Sequence, residues 1–200
     1  MLMDRIALPA ATPSRRRFLT LTVGGLTGLA LAPGLAPSLA MAQAGAPKPK
    51  PGQGPTEQPP AFVHIAPDGK TTILCNRMDM GQGIETALAM ICAEELDADW
   101  AQVHTGFGDQ KPHYVDPAMG MHLTGGSNSI KNSYAQYREL GARARVMLLA
   151  AAAQQWQQPV ASLRTEAGRV IGNGRSAGYG ELFAAAMQQP VPEAVALKDP

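Results

Sequence analysis

The sequence predicts an α+β domain in which antiparallel strands pack with two principal helices, and three observations carry that reading. Two β-rich runs, residues 62–65 and Thr71–Cys75, flank Pro67-Asp68-Gly69, a turn signal that joins them as a hairpin. Ile84, Leu88, Ile91 and Cys92 share one face of a helical pattern that runs to about Leu96. A longer stripe, from Ile130 through Tyr137, Ala144 and Leu148 to Ala152, recurs at helical spacing and predicts a second helix from about Ser127 to Trp156.

The elements follow in chain order. Residues 1–42 read as a twin-arginine export signal. Ser14-Arg15-Arg16-Arg17-Phe18-Leu19 precedes an apolar stretch to Leu39, broken by glycines and prolines, and Ala40-Met41-Ala42 is a small-x-small cleavage site. The expectation is a periplasmic protein, exported already folded and cut after Ala42. The leader carries four arginines and one aspartate, so the 17 basic and 16 acidic residues of the whole chain become 13 and 15 after cleavage. A mature net charge of −2 offers no basic stripe for nucleic acid.

Residues 43–60 hold six prolines and predict an extended linker. Residues 61–200 form the domain itself. After the hairpin and the first helix, residues 103–107 predict a short strand and 108–123 a long irregular loop, of a length usually functional or disordered. Gly141 inside the long helix predicts close packing against another element. Two short strands, 163–166 and 169–171, turn at Ala167-Gly168, and a last helix spans about 180–188.

The two cysteines, Cys75 and Cys92, fall in apolar patterns and predict buried free thiols. His104, His113 and His122, with Asp109 and Asp116, lack the paired spacing of a metal site and read as solvated loop residues. Glu94, Glu95, Asp97 and Asp99 read as a solvated helix edge, and Arg138, Arg143 and Arg145 as the polar face of the long helix. No catalytic residue and no metal ligand is assigned.

The candidate chemistry lies in two glycine-rich turns, Met80-Gly81-Gln82-Gly83 and Thr124-Gly125-Gly126-Ser127-Asn128-Ser129, each opening into a helix. Glycine lets the backbone N–H groups approach a ligand, and the helix start adds unpaired donors and a positive dipole end. Two such turns suit the two ends of a long anionic ligand. On spacing alone, ordinary capped loops fit as well.

The stretch Asp79-Met80-Gly81-Gln82-Gly83-Ile84-Glu85-Thr86, followed by Ala93-Glu94-Glu95-Leu96-Asp97-Ala98-Asp99-Trp100 and then by 124–129, resembles the molybdopterin-binding large subunit of the xanthine dehydrogenase/aldehyde oxidase family, in its isoquinoline 1-oxidoreductase β-subunit-like branch. The resemblance implies one lobe of a molybdopterin-binding domain. It implies a molybdenum–molybdopterin cytosine dinucleotide cofactor, cradled by Gly81, Gln82 and Gly83 from one turn and by Gly125, Gly126, Ser127 and Ser129 from the other. It further implies oxidation of aldehydes or N-heterocycles with water as oxygen source. Electrons would pass to [2Fe–2S] clusters on a small partner subunit, and from there to a periplasmic cytochrome. Family large subunits are several times longer, and the glutamate that serves as their base lies beyond residue 200, so the expectation for this chain alone is no turnover. Two alternatives stay open: a free-standing periplasmic anion-binding module, and a non-functional truncated reading frame.

Overall fold

The computed structural model describes residues 54–199; the predicted export signal and linker residues 43–53 lie outside them. The fold class is α+β, as the sequence predicts. The last part of the Pro-rich stretch is not extended. Pro55–Glu57 forms a 3₁₀ turn and Pro59–Phe62 a single helical turn, α1. Proline at the first helical positions presets φ, and Phe62 is fully buried edge-on against Tyr114 and Tyr137, which anchors the segment. The Gln136 side chain donates to the Thr56 carbonyl at 2.9 Å.

Strands β1 (Val63–Ile65) and β2 (Thr71–Cys75) form the expected antiparallel hairpin, with Gly69 at φ 92° closing the turn. Helix α2 (Ile84–Leu96) then carries the chain across to β3 (Val103–Phe107), which pairs with β2 in parallel. This differs from an all-antiparallel reading, because a helical crossover returns the chain to the end from which β2 started. The first sheet is ordered β1-β2-β3.

Helix α3 (Ser129–Trp156) packs across α2 with its closest approach at Gly141, where a Cβ would stand 2.3 Å from the Cys92 carbonyl oxygen. The core fills with Leu88, Cys92 and Leu96 from α2 and with Tyr137, Leu140 and Leu148 from α3. Cys75 and Cys92 are free and buried. Burial, with the nearby charges of Glu85 and Asp79, pushes the Cys75 thiol up to about 12.

A second antiparallel sheet, β4 (Arg164–Glu166), β5 (Arg169–Gly172) and β6 (Arg175–Gly178), precedes helix α4 (Tyr179–Ala186). Strand β6 is absent from the sequence reading. Its turn is Asn173-Gly174, with φ values of 46° and 75°, the backbone that an Asn-Gly hairpin favours.

Several charged residues are not the solvated groups the sequence suggested. Glu95 is 1% exposed and takes hydrogen bonds from Arg138 Nε at 2.7 Å and from the Lys198 N–H at 3.1 Å. Arg143 is buried and donates to the Pro192 carbonyl, while Arg145 donates to that of Ala196. These arginines are therefore clamps on the chain's closing segment rather than a polar face. Asp116 is buried as well. Each charge is tolerated inside because a partner replaces the water it has lost. Among the described residues, no helix is long and apolar enough to cross a membrane.

Candidate functional site

Parallel strands leave an opening at their carboxyl ends, where each chain departs in a different direction. Here Cys75 ends β2 and Phe107 ends β3, and a cleft of about 660 Å³ opens beyond them. Residues 75–80 form one wall, 107–110 another, and Tyr114 with residues 122–124 the third. The first glycine turn leaves the cleft at Met80, and the second enters it at Thr124. The Met78 N–H donates to Thr124 Oγ1 at 2.9 Å and ties the two together.

Arg77 is the post behind that tie. Its guanidinium is buried and forks in three directions. Nη1 donates to the Leu123 carbonyl at 2.7 Å and lies 2.7 Å from Asp116 Oδ2, while Nε and Nη2 both reach Ser133 Oγ on α3. One side chain thus ties the approach to the first turn, and Leu123 just before the second, to the long helix.

Asp116 completes the fork. Its carboxylate takes hydrogen bonds from the Asn132 amide and from the backbone N–H groups of Ala118 and Met119. Burial alone would raise its pKa. The bonds from Asn132, Met119, Arg77 and Ala118 outweigh that and hold the carboxyl below the usual carboxylate range. The loop expected to be irregular is built around this one carboxylate. Beside it, Tyr137 donates to the Leu74 carbonyl and accepts from the Asn76 N–H at 2.8 Å, which fixes the end of β2.

The two turns differ in what they leave free. In the first, Gly81 and Gly83 have φ values of 96° and 79°, so both occupy the left-handed region that favours glycine. Their N–H groups donate to Asp79, as does that of Glu85 at the start of α2. The Glu85 and Gly81 bonds hold the Asp79 carboxyl below its usual range. Gln82 folds back over its own turn, accepting from the Met80 N–H and donating to the Met78 carbonyl. The donors predicted to face a ligand are engaged within the turn.

The second turn is open. Gly126 and Ser127 are left-handed, with φ values of 62° and 56°, and the Asn128 side chain makes no cap on α3. The N–H groups of Gly125, Gly126, Ser127 and Ser129, and both serine hydroxyls, have no partner among the described residues. The predicted residues thus fall into a closed group (Gly81, Gln82, Gly83) and an open one (Gly125, Gly126, Ser127, Ser129), joined through Met78 and Thr124.

Sequence reasoning missed Arg77, Asp116, Asn132 and Ser133. A basic residue just before a glycine turn is the one local signal that pointed to Arg77. His113 is half-buried with Nδ1 2.8 Å from the Pro55 carbonyl, and His104 and His122 are exposed.

Comparison with known proteins places this chain in a family. Residues 20–198 match the family described as molybdopterin cofactor-binding domain. The chain is 38% identical over 130 residues to the beta subunit of isoquinoline 1-oxidoreductase from Brevundimonas diminuta, covering 63% of this chain and 17% of that protein. It is 40% identical over 99 residues to the membrane-bound aldehyde dehydrogenase (pyrroloquinoline-quinone) of Gluconacetobacter polyoxogenes, covering 50% of this chain and 12% of that one. A nicotinate dehydrogenase subunit of Pseudomonas putida is 36% identical over 122 residues, covering 60% of this chain and 10% of that protein. The chain thus spans between a tenth and a sixth of the length of these relatives. Among solved structures, quinoline 2-oxidoreductase from Pseudomonas putida 86 superposes with a TM-score of 0.47 at 23% identity, covering 66% of this chain and 17% of that one.

Proposed function

We propose, from the premise that this chain belongs to the molybdopterin cofactor-binding domain family, that it is the N-terminal cofactor lobe of an exported molybdenum hydroxylase large subunit. The observation that carries the reading is the junction of the two glycine turns at one cleft, braced by Arg77 and Asp116. The substrates proposed are aldehydes or N-heterocycles. The relatives named for isoquinoline, aldehyde and nicotinate support that class. The twin-arginine motif supports export.

The donor chemistry fits the group. Gly125, Gly126, Ser127 and Ser129 present N–H and hydroxyl donors at the start of a 28-residue helix, which suits a phosphate-bearing cofactor such as the cytosine dinucleotide form. Gly81, Gln82 and Gly83 would hold a second part of it, once Asp79 turns out of the α2 N-terminus. When bound, the molybdenum cofactor supplies the oxidation, inserting oxygen from water and releasing two electrons. This chain's own contribution is to bind and orient: the open turn neutralises negative charge, and the Arg77 fork keeps both turns in register. The electrons would leave through [2Fe–2S] clusters on a small partner subunit, with a periplasmic cytochrome beyond.

The test is the native product purified with its small subunit. Molybdenum and pterin in stoichiometric amount, on a polypeptide several times longer than this chain, is the expected result. A product of this length without either would leave the free-standing anion-binding module in its place.

A further inference from the structure

The outer edge of β3 is open among the described residues, and its meaning rests on the reading of this chain as one lobe of a longer subunit. In a parallel ladder, alternate residues of a strand turn both their N–H and C=O groups to the same neighbour. The Gly108 N–H donates to the Cys75 carbonyl at 2.9 Å, so Gly106 and His104 also face β2. Thr105 and Phe107 therefore turn their backbone groups away from the sheet, and nothing among the described residues receives them. The opposite edge of the sheet is the three-residue β1, whose Val63 and Ile65 are buried.

Edge strands are ordinarily blunted by proline, lysine or an inward charge. Val103-His104-Thr105-Gly106-Phe107 carries none of these. Its ends are marked by apolar rings left in solvent, Trp100 at 47% and Phe107 at 51% exposure.

We propose that the edge of β3 accepts a fourth strand, contributed by the part of the large subunit that lies outside this chain. The relatives are roughly four to six times its length, which leaves ample chain to supply one. A second copy of this chain fits worse. A two-fold pairing centred on Thr105 would set two Thr105 residues opposite each other. Each Thr105 hydroxyl is held by the Glu85 carboxylate at 2.5 Å, so the two carboxylates would meet across the seam. Like charges directly opposite are destabilising. The incoming strand is instead one with apolar residues opposite Val103 and Phe107, and a basic or hydroxyl residue opposite the Thr105–Glu85 pair.

The experiment reads amide exchange residue by residue on this chain and on the native product, whose intact mass is measured in the same preparation. Thr105 and Phe107 should exchange freely in this chain, and at least about a hundredfold more slowly in the longer product. Gly106 and Gly108 should be protected in both. Equal exchange of Thr105 and Phe107 in the two samples would overturn the proposal. So would their protection in this chain by dimerisation, which would make the edge a self-interface. A native product no longer than this chain would fail the underlying reading, visibly by mass rather than by exchange, and the proposal with it.

Thr105→Pro supplies the second measurement, because the N–H it removes does not serve β2. It should leave the melting temperature of this chain close to that of Thr105→Ala, yet lower that of the longer product relative to Thr105→Ala. The same melting temperature for both variants in the longer product would also overturn the proposal.

Discussion

The two glycine turns start from similar material and end in opposite states. The first is satisfied from within: Asp79 takes the donors of Gly81, Gly83 and Glu85, and Gln82 closes over its own backbone. The second has Asn128 at the cap position without a cap bond, and its N–H groups and serine hydroxyls are unspent. A glycine-rich turn before a helix is therefore a competence rather than a site. Whether it is free for an anion depends on whether a carboxylate a few residues away already occupies the helix start. Asp79 is such a carboxylate, and the second turn has no acidic neighbour between Thr124 and Ser129.

The sharpest way to break the comparison is to remove what joins the two turns. Arg77→Met leaves Asp116 buried without its cation and frees Leu123 and Ser133, and should cost about 3–5 kcal/mol of unfolding free energy. Urea denaturation checks it, and a loss below about 1 kcal/mol would mean that the fork is not the brace.

The next test sets one turn against the other. Ser127→Ala with Ser129→Ala should leave stability within about 0.5 kcal/mol, since neither hydroxyl has a partner, yet lower the molybdenum content of the longer product. Asp79→Ala should do the reverse to the isolated chain, lowering its melting temperature while strengthening pyrophosphate binding measured by calorimetry. If Asp79→Ala left pyrophosphate binding unchanged, the first turn would not be a masked anion seat.

Acid separates the brace from the cap less sharply. Asp79 and Asp116 both have carboxyls held below their usual range. Their stabilisation is complete above the unfolded-state value of about 3.9, and is lost as pH falls through the lower folded values. Unfolding free energy should stay level from pH 7 to about 5 on their account and drop below about 4, with a smaller drop in Asp116→Asn. A midpoint that did not move between the two proteins would remove Asp116 from the explanation.

The smallest expected effect is at Gln82. Gln82→Ala in the longer product should reduce molybdenum content more than Gln155→Ala, because Gln155 lies exposed near the far end of α3. Equal, negligible changes by metal analysis would leave Gln82 as a turn-closing residue alone.

Much of this was legible in the residues. Ile84, Leu88 and Cys92 announced the buried face of α2, Gly141 announced the helix contact, and Pro67-Asp68-Gly69 announced the hairpin. Strand β6 was legible too, since Asn173-Gly174 is a strong hairpin signal that went unread. The candidate site was half legible. Its glycines and serines stood out as motifs, whereas Asp116, Glu95 and Arg143 read as solvated charge and Arg77 carried no assignment, because the partners that bury them lie far away in sequence.

The order of elements, the helix faces, the turns and the donors available at each glycine run were determined by sequence alone, because φ preferences and apolar periodicity act within a few residues. The parallel pairing of β3, the burial of Arg77 against Asp116 and the tie that joins the two turns were decided only by the tertiary structure. A charge can be buried only where a partner arrives from elsewhere in the chain, and two turns can meet only where distant segments pack side by side. Both are properties of distances between residues that no local pattern records.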